Sequence, residues 1–223
     1  MSLIRLIKQT HRYLLLATAA ILISACGGGG GGSSSSLSGT AATGAPVQGF
    51  VYVTDSTGIE VNAPINPDGS FSISVEGMTP PFILRVIPDD NSDILYSYAS
   101  GSNLTVNITP LTTLALFIAG SGNLDLDALY LDWVNSSSLL DDTSITAAQE
   151  EINANLLSLF NDNGVDATFY DFMNVAFSAD GNSIDGVMDA LTISIDSTGG
   201  VFTVSINGTP YEWDQLIDTS GIN

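Results

Sequence analysis

Asp89-Asp90-Asn91-Ser92-Asp93 puts three oxygen-bearing side chains, those of Asp89, Asn91 and Asp93, at alternate positions of a predicted loop. Calcium takes about six to eight oxygen ligands, so this spacing makes the loop a candidate cation site. A second run, Asp180-Gly181-Asn182-Ser183-Ile184-Asp185, offers Asp180, Asn182 and Asp185, with Asp189 beyond. Both depart from the helix–loop–helix calcium pattern. The first lacks Gly at its sixth position and Glu at its twelfth, and the second has Ile184 where a ligand belongs. Each also has a plainer role. The first would serve as a polar connection between strands. The second would start a helix, with Asn182 or Ser183 as cap and Asp185 in the first turn.

The rest of the inventory narrows the chemistry. The chain has 24 Asp and Glu against four Lys and Arg, one His and one Cys. Arg5, Lys8, His11 and Arg12 all precede Cys26, and every carboxylate follows it. Beyond Cys26 one arginine, Arg85, stands against 24 acids, a formal charge of −23. That portion has no imidazole or amine side chain to act as a base near neutral pH or to form an imine. It also lacks the His and Cys ligands of a zinc site. Phosphate contacts rely on Lys and Arg, so nucleic acid is excluded as a partner. A paired-carboxylate glycosidase is the remaining catalytic chemistry, and nothing singles out two of the 24 acids as its pair. The expectation is a protein that is not an enzyme, with no cofactor other than calcium suited to its ligands.

Three further residues are candidates for binding. Arg85 lies on a predicted strand with apolar neighbours, where it would pair with an acid or recognise a ligand. Tyr211 and Trp213 would form a carbohydrate-stacking surface or close a core edge.

The first 25 residues have the form of an export signal. Arg5, Lys8 and Arg12 precede an apolar run from Tyr13 to Ala25. That run is shorter than the roughly 20 residues needed to span a bilayer core. It ends Leu22-Ile23-Ser24-Ala25-Cys26, which resembles the lipobox of bacterial lipoproteins. The resemblance implies cleavage before Cys26 and acylation of its sulfur and new amino group. Two or more acyl chains suffice for stable attachment, and acylation also removes a free thiol from an oxidising compartment. Gly27, rather than Asp, after the Cys implies sorting to the outer membrane. Gly27 to Gly32 and Ser33 to Ser36 begin a predicted tether over 26–45, with a reach of about 25 Å as flexible coil.

Residues 46–108 read as short strands separated by turns. Asn66-Pro67-Asp68-Gly69 is a turn, and Ser70 to Val75 alternates so that Phe71, Ile73 and Val75 share a face. Further strands are predicted over 47–53, 82–87, 94–99 and 104–108. The spacing suggests a small sandwich. Gly49, Asp68-Gly69-Ser70-Phe71 and Phe82-Ile83-Leu84-Arg85-Val86 resemble the carboxypeptidase regulatory-like domain, a transthyretin-like Ig fold of exported bacterial proteins. Gly39 to Pro46 and Asn107 to Thr113 resemble proteobacterial lipoproteins that carry it. That domain is non-catalytic, so no catalytic residue carries over.

Residues 109–223 read as a helical region ending in a hairpin. Thr109-Pro110 predicts a helix start, and Leu111, Leu114 and Ile118 share a face. Helical segments are predicted over 124–134, 144–160, 167–176 and 183–191. Strands 192–195 and 201–206 flank a predicted turn at Ser197 to Gly200. The expected fold is α+β: an Ig-like β-sandwich, then helices, then a C-terminal β-hairpin. The expected role is that of an envelope lipoprotein, membrane-held through Cys26, that binds an envelope protein or glycan or serves structurally. A calcium-dependent adhesion or folding module is the alternative.

Overall fold

The structure, a computed structural model, describes residues 35–122, 124–168, 170–196 and 201–213. The expected export signal, Cys26 and the glycine run lie outside these residues. Seven strands come first: β1 (Ser36–Thr40), β2 (Gly49–Asp55), β3 (Glu60–Pro64), β4 (Ser70–Ser74), β5 (Phe82–Pro88), β6 (Leu95–Ala99) and β7 (Leu104–Thr105). Six helices follow among the described residues: α1 (Pro110–Ala119), α2 (Leu126–Leu131), α3 (Trp133–Ser136), α4 (Asp142–Asn155), α5 (Leu157–Asp162) and α6 (Ile184–Ala190). Strands β8 (Leu191–Asp196), β9 (Val201–Ile206) and β10 (Thr209–Tyr211) complete a mixed α and β chain.

Alternation decides which face each strand buries. In β4, Phe71 and Ile73 point inward while Ser72 and Ser74 face solvent. The strand pairs with β1 and lies in a three-stranded sheet ordered β4-β1-β7. A four-stranded antiparallel sheet ordered β3-β2-β5-β6 shares a core with it. Leu37, Phe71, Ile73 and Val106 on one side meet Val51, Val53, Leu84 and Val86 on the other. Strand β5 is apolar at successive positions because both its faces are covered. Phe82, Leu84 and Val86 face the small sheet, while Ile83 joins Tyr96, Tyr98 and the helices in a second core.

The predicted tether over 26–45 is corrected at its C-terminal end. Residues 36–40 form β1, the central strand of its sheet. Its serine-rich composition hides this, since Leu37 alone fills the core. Gly39 lies so close to β7 that a Cβ there would come within 2.0 Å of the Val106 carbonyl oxygen. The strand is held by main-chain pairing and close approach rather than by a run of apolar side chains.

The helical layer also differs from expectation. The helix predicted over 144–160 starts earlier, with Asp141 and Ser144 as a reciprocal capping box, and breaks at Leu156 into α4 and α5. The segment predicted over 124–134 divides at Asp132 into α2 and α3. Of the segment predicted over 167–176, the described residues 167–168 and 170–176 form turns and irregular chain instead of a helix. Their main-chain oxygens are committed to buried Asn107, whose Nδ2 donates to Phe172 O (3.1 Å) and Val175 O (2.8 Å). The Asn107 amide donates to Met173 O. A helix would need the same acceptors for itself.

Strands β8, β9 and β10 form an antiparallel sheet ordered β10-β9-β8. The predicted turn at Ser197 to Gly200 lies outside the described residues. A tight turn at Asn207-Gly208 links β9 to β10, with φ of 51° and 74°. Asn-Gly is the pair that tolerates two positive φ values in a two-residue loop. Among the described residues no helix is long and apolar enough to cross a membrane.

Candidate binding cleft

A cleft of about 640 Å³ opens where the β5–β6 connection, the start of α2 and strand β8 converge. Asp90, Ser92 and Asp93 line it from the connection, and Asp125 and Asp127 from α2. Ile193, Ser194 and Ile195 line it from β8. Each element is set locally. Asp90 Oδ1 accepts from the Ser92 amide at 2.9 Å, which shapes the connection. Hydrogen bonds from the Ser92 hydroxyl and amide hold the Asp90 carboxyl below its ordinary range. Asp125 is the N-cap of α2 and accepts from the Ala128 amide at 3.1 Å, so Asp127 falls in the first turn, where the helix dipole favours it.

Tyr96 of β6 ties these walls together. Its hydroxyl donates to Asp127 Oδ1. Burial, and then the bond to the Asp127 carboxylate, push the Tyr96 phenol far above its ordinary value. It therefore stays a neutral donor. Its main chain is also engaged: the amide donates to Thr113 Oγ1 at 2.9 Å, and its carbonyl accepts from Thr112 Oγ1 at 2.7 Å. These two threonines of α1 cover the outer edge of β6 at Tyr96. Thr112 serves as well in the capping box with Thr109.

Arg85 sits behind this wall, opposite Tyr96 in the β5–β6 register. Its guanidinium lies 4.1 Å from the Tyr130 ring centroid and 5.4 Å from that of Tyr52. Glu60 stands 3.9 Å away and accepts from the Tyr130 hydroxyl at 2.8 Å. Arg85 thus fastens α2 to the sheet through stacking.

Tyr211 and Trp213 do not form a flat stacking platform. Their rings are tilted by 80°, and Trp213 packs edge-on to Phe202 at 5.1 Å. The Tyr211 hydroxyl donates to Asn155 O at 2.6 Å and the Trp213 indole to Glu151 Oε1 at 2.8 Å. Their polar ends are used to seal β10 and the segment after it against α4.

The two acidic runs fare differently. In the first, Asp90 and Asp93 turn into the cleft, while Asp89 and Asn91 are not part of its lining. In the second, Asp180 Oδ1 accepts from the Asn182 amide at 3.1 Å. Ser183 starts α6 without a side-chain cap bond. Asp185 is fully buried; its Oδ2 accepts from the Gly181 amide at 2.7 Å and its Oδ1 has no hydrogen-bond partner. Among the described residues no group of three or more His, Cys, Asp or Glu is placed to hold a metal ion.

Asp125, Asp127 and Tyr96 of the cleft are not among the residues that sequence pattern singles out. An Asp-Leu-Asp start before an apolar helix was a visible capping signal, but the cleft itself depends on long-range packing. No family matches the chain, and neither the curated proteins nor the solved structures contain a match.

Proposed function

We propose that the protein is an exported lipoprotein, held at the envelope through acylated Cys26, and that its folded part is a non-catalytic binding module whose acidic cleft receives a partner. The observation that carries this reading is the cleft lining. Carboxylates and hydroxyls surround an apolar strip, a composition suited to holding a ligand by charge and hydrogen bonds. The chain beyond Cys26 has no imidazole or amine side chain to turn such a site over. In this reading the paired sheets are an Ig-like sandwich of the carboxypeptidase regulatory-like kind, and β8 and β9 are joined as a hairpin.

The test compares the full chain with the double variant Asp93→Asn, Asp125→Asn on envelope extract from the same cells. Asn remains a competent N-cap at 125, so the fold is retained. The reading expects a partner recovered by the wild type and lost with the variant. Equal recovery by both would exclude the cleft. In parallel, Cys26→Ser is expected to move the protein from the membrane fraction to the soluble fraction and abolish labelling by an alkyne fatty acid.

The calcium-dependent module is a second reading, favoured by one observation. Asp185 is buried with a free oxygen, close enough to Asp189 and Asp180 to feel their charges.

A further inference from the structure

Two strands with an outer edge border the cleft, and the fold treats them differently. Strand β6 is the last strand of its sheet, and its Tyr96 edge groups are bonded by Thr112 and Thr113. Strand β8 is also a last strand, pairing only with β9 among the described residues. The direction of its free groups follows from the register. The Asn207 amide donates to the Ala190 carbonyl at 2.8 Å. Antiparallel pairs alternate between bonded and non-bonded positions, so residues 192, 194 and 196 turn their main chain toward β9. The amides and carbonyls of Ile193 and Ile195 therefore point away from β9, and both residues line the cleft.

Among the described residues no strand pairs with this edge of β8, and an open edge is a template for another strand. Asp90, Asp93, Asp125 and Asp127 stand around this one, in a chain whose formal net charge is already −20 with its basic N-terminal segment included. We infer that the cleft takes an extended basic segment of a protein partner, added as a strand along β8, with lysine or arginine side chains reaching the Asp93 and Asp125 walls. Main-chain bonds to Ile193 and Ile195 supply the alignment, and alternate side chains supply the charge contacts. Attraction between opposite charges speeds encounter and excludes acidic segments. This inference rests on the cleft being the binding site and adds the chemistry and conformation of what enters.

The test uses the full chain in detergent and fluorescence anisotropy with a labelled hexapeptide alternating lysine and threonine. Two control peptides accompany it, one alternating glutamate and threonine, the other the lysine peptide with every amide N-methylated. The methylated peptide keeps its charge and loses its ability to pair. The inference expects saturable binding of the lysine peptide, at least tenfold weaker binding of the methylated one, and none of the glutamate one. The double variant Asp93→Asn, Asp125→Asn is expected to weaken binding by at least tenfold. Equal binding of the plain and methylated peptides would overturn strand pairing and leave the cleft reading standing. Absence of lysine-peptide binding by wild-type chain, alongside cleft-dependent recovery of a partner from extract, would overturn the ligand class alone. Absence of both would remove the cleft reading as well.

Discussion

Asp55 and Asp185 are both fully buried, and their surroundings move them in opposite directions. Burial pushes Asp55 up, but amides of Thr79, Ile59 and Thr57 and the Thr57 hydroxyl outweigh it, so its carboxyl sits below its ordinary value. Its stabilising contribution is present above the unfolded value near 3.8 and is lost as pH falls through the lower folded value. Replacing Asp55 by Ala strands three amides and is expected to cost about 1–3 kcal/mol per group left unpaired, before local relaxation. Urea unfolding at neutral pH measures it. Asp185 is the reverse case. Burial first, then the Asp189 and Asp180 charges, raise it, with only the Gly181 and Asp180 main chain opposing. Folding is favoured most below 3.8, and that advantage is lost as pH rises through the folded value. Asp185→Asn is therefore expected to raise the melting temperature at pH 7 and to change it little at pH 3. Melts across that range check it. Destabilisation at pH 7 would mean that the charge is compensated, as a bound cation would do. At this scale Asp90 and Asp93 were legible as candidate ligands, but their real neighbours were not. Asp125 and Asp127 lie some 30 residues further along the chain and meet them only when α2 docks on the sheet, while Tyr96, close by in sequence, gives no local sign that its hydroxyl reaches Asp127.

Among the elements, the joint between β6 and α1 forms part of the cleft wall, through Tyr96 and Thr113. Thr112 and Thr113 each accept or donate at the Tyr96 main chain while also bonding the Thr109 carbonyl. The double substitution Thr112→Val, Thr113→Val keeps their shape and removes these bonds. It is expected to destabilise by about 1–3 kcal/mol and to speed hydrogen exchange at the Tyr96 amide more than at β2. Unchanged exchange at Tyr96 would show that the strand is sealed by other contacts. The sequence made β4, β5 and the Thr109-Pro110 start of α1 readable, because alternation, a run buried on both faces and a capping pair are local signals. Strand β1 was hidden, since Leu37 and Gly39 work through position in a central strand. The turns of 167–176 were hidden for a related reason: Asn107, some 65 residues earlier in the chain, takes their carbonyls. The Asn207-Gly208 turn was readable in principle, as its two residues are the local signal for a tight hairpin.

For the molecule as a whole, charge is the dominant property. Carboxylates that repel one another oppose compaction, and salt relieves that repulsion by screening. The melting temperature of the full chain is expected to rise with sodium chloride. Calcium and magnesium at equal ionic strength are expected to act alike. A rise specific to calcium would favour the calcium-dependent reading and direct attention to Asp180, Asp185 and Asp189. The lipid proposed on Cys26 would hold at a membrane surface a chain whose carboxylates would otherwise be repelled by anionic lipid.

The central claim is that the cleft holds a partner at the envelope, and photo-crosslinking in intact cells tests it most directly. A photoreactive residue replaces Ser194, in the cleft, or Ser72, exposed on the opposite sheet. The account predicts one discrete adduct from position 194 and none from 72. No adduct from 194, or the same adducts from both positions, would contradict it.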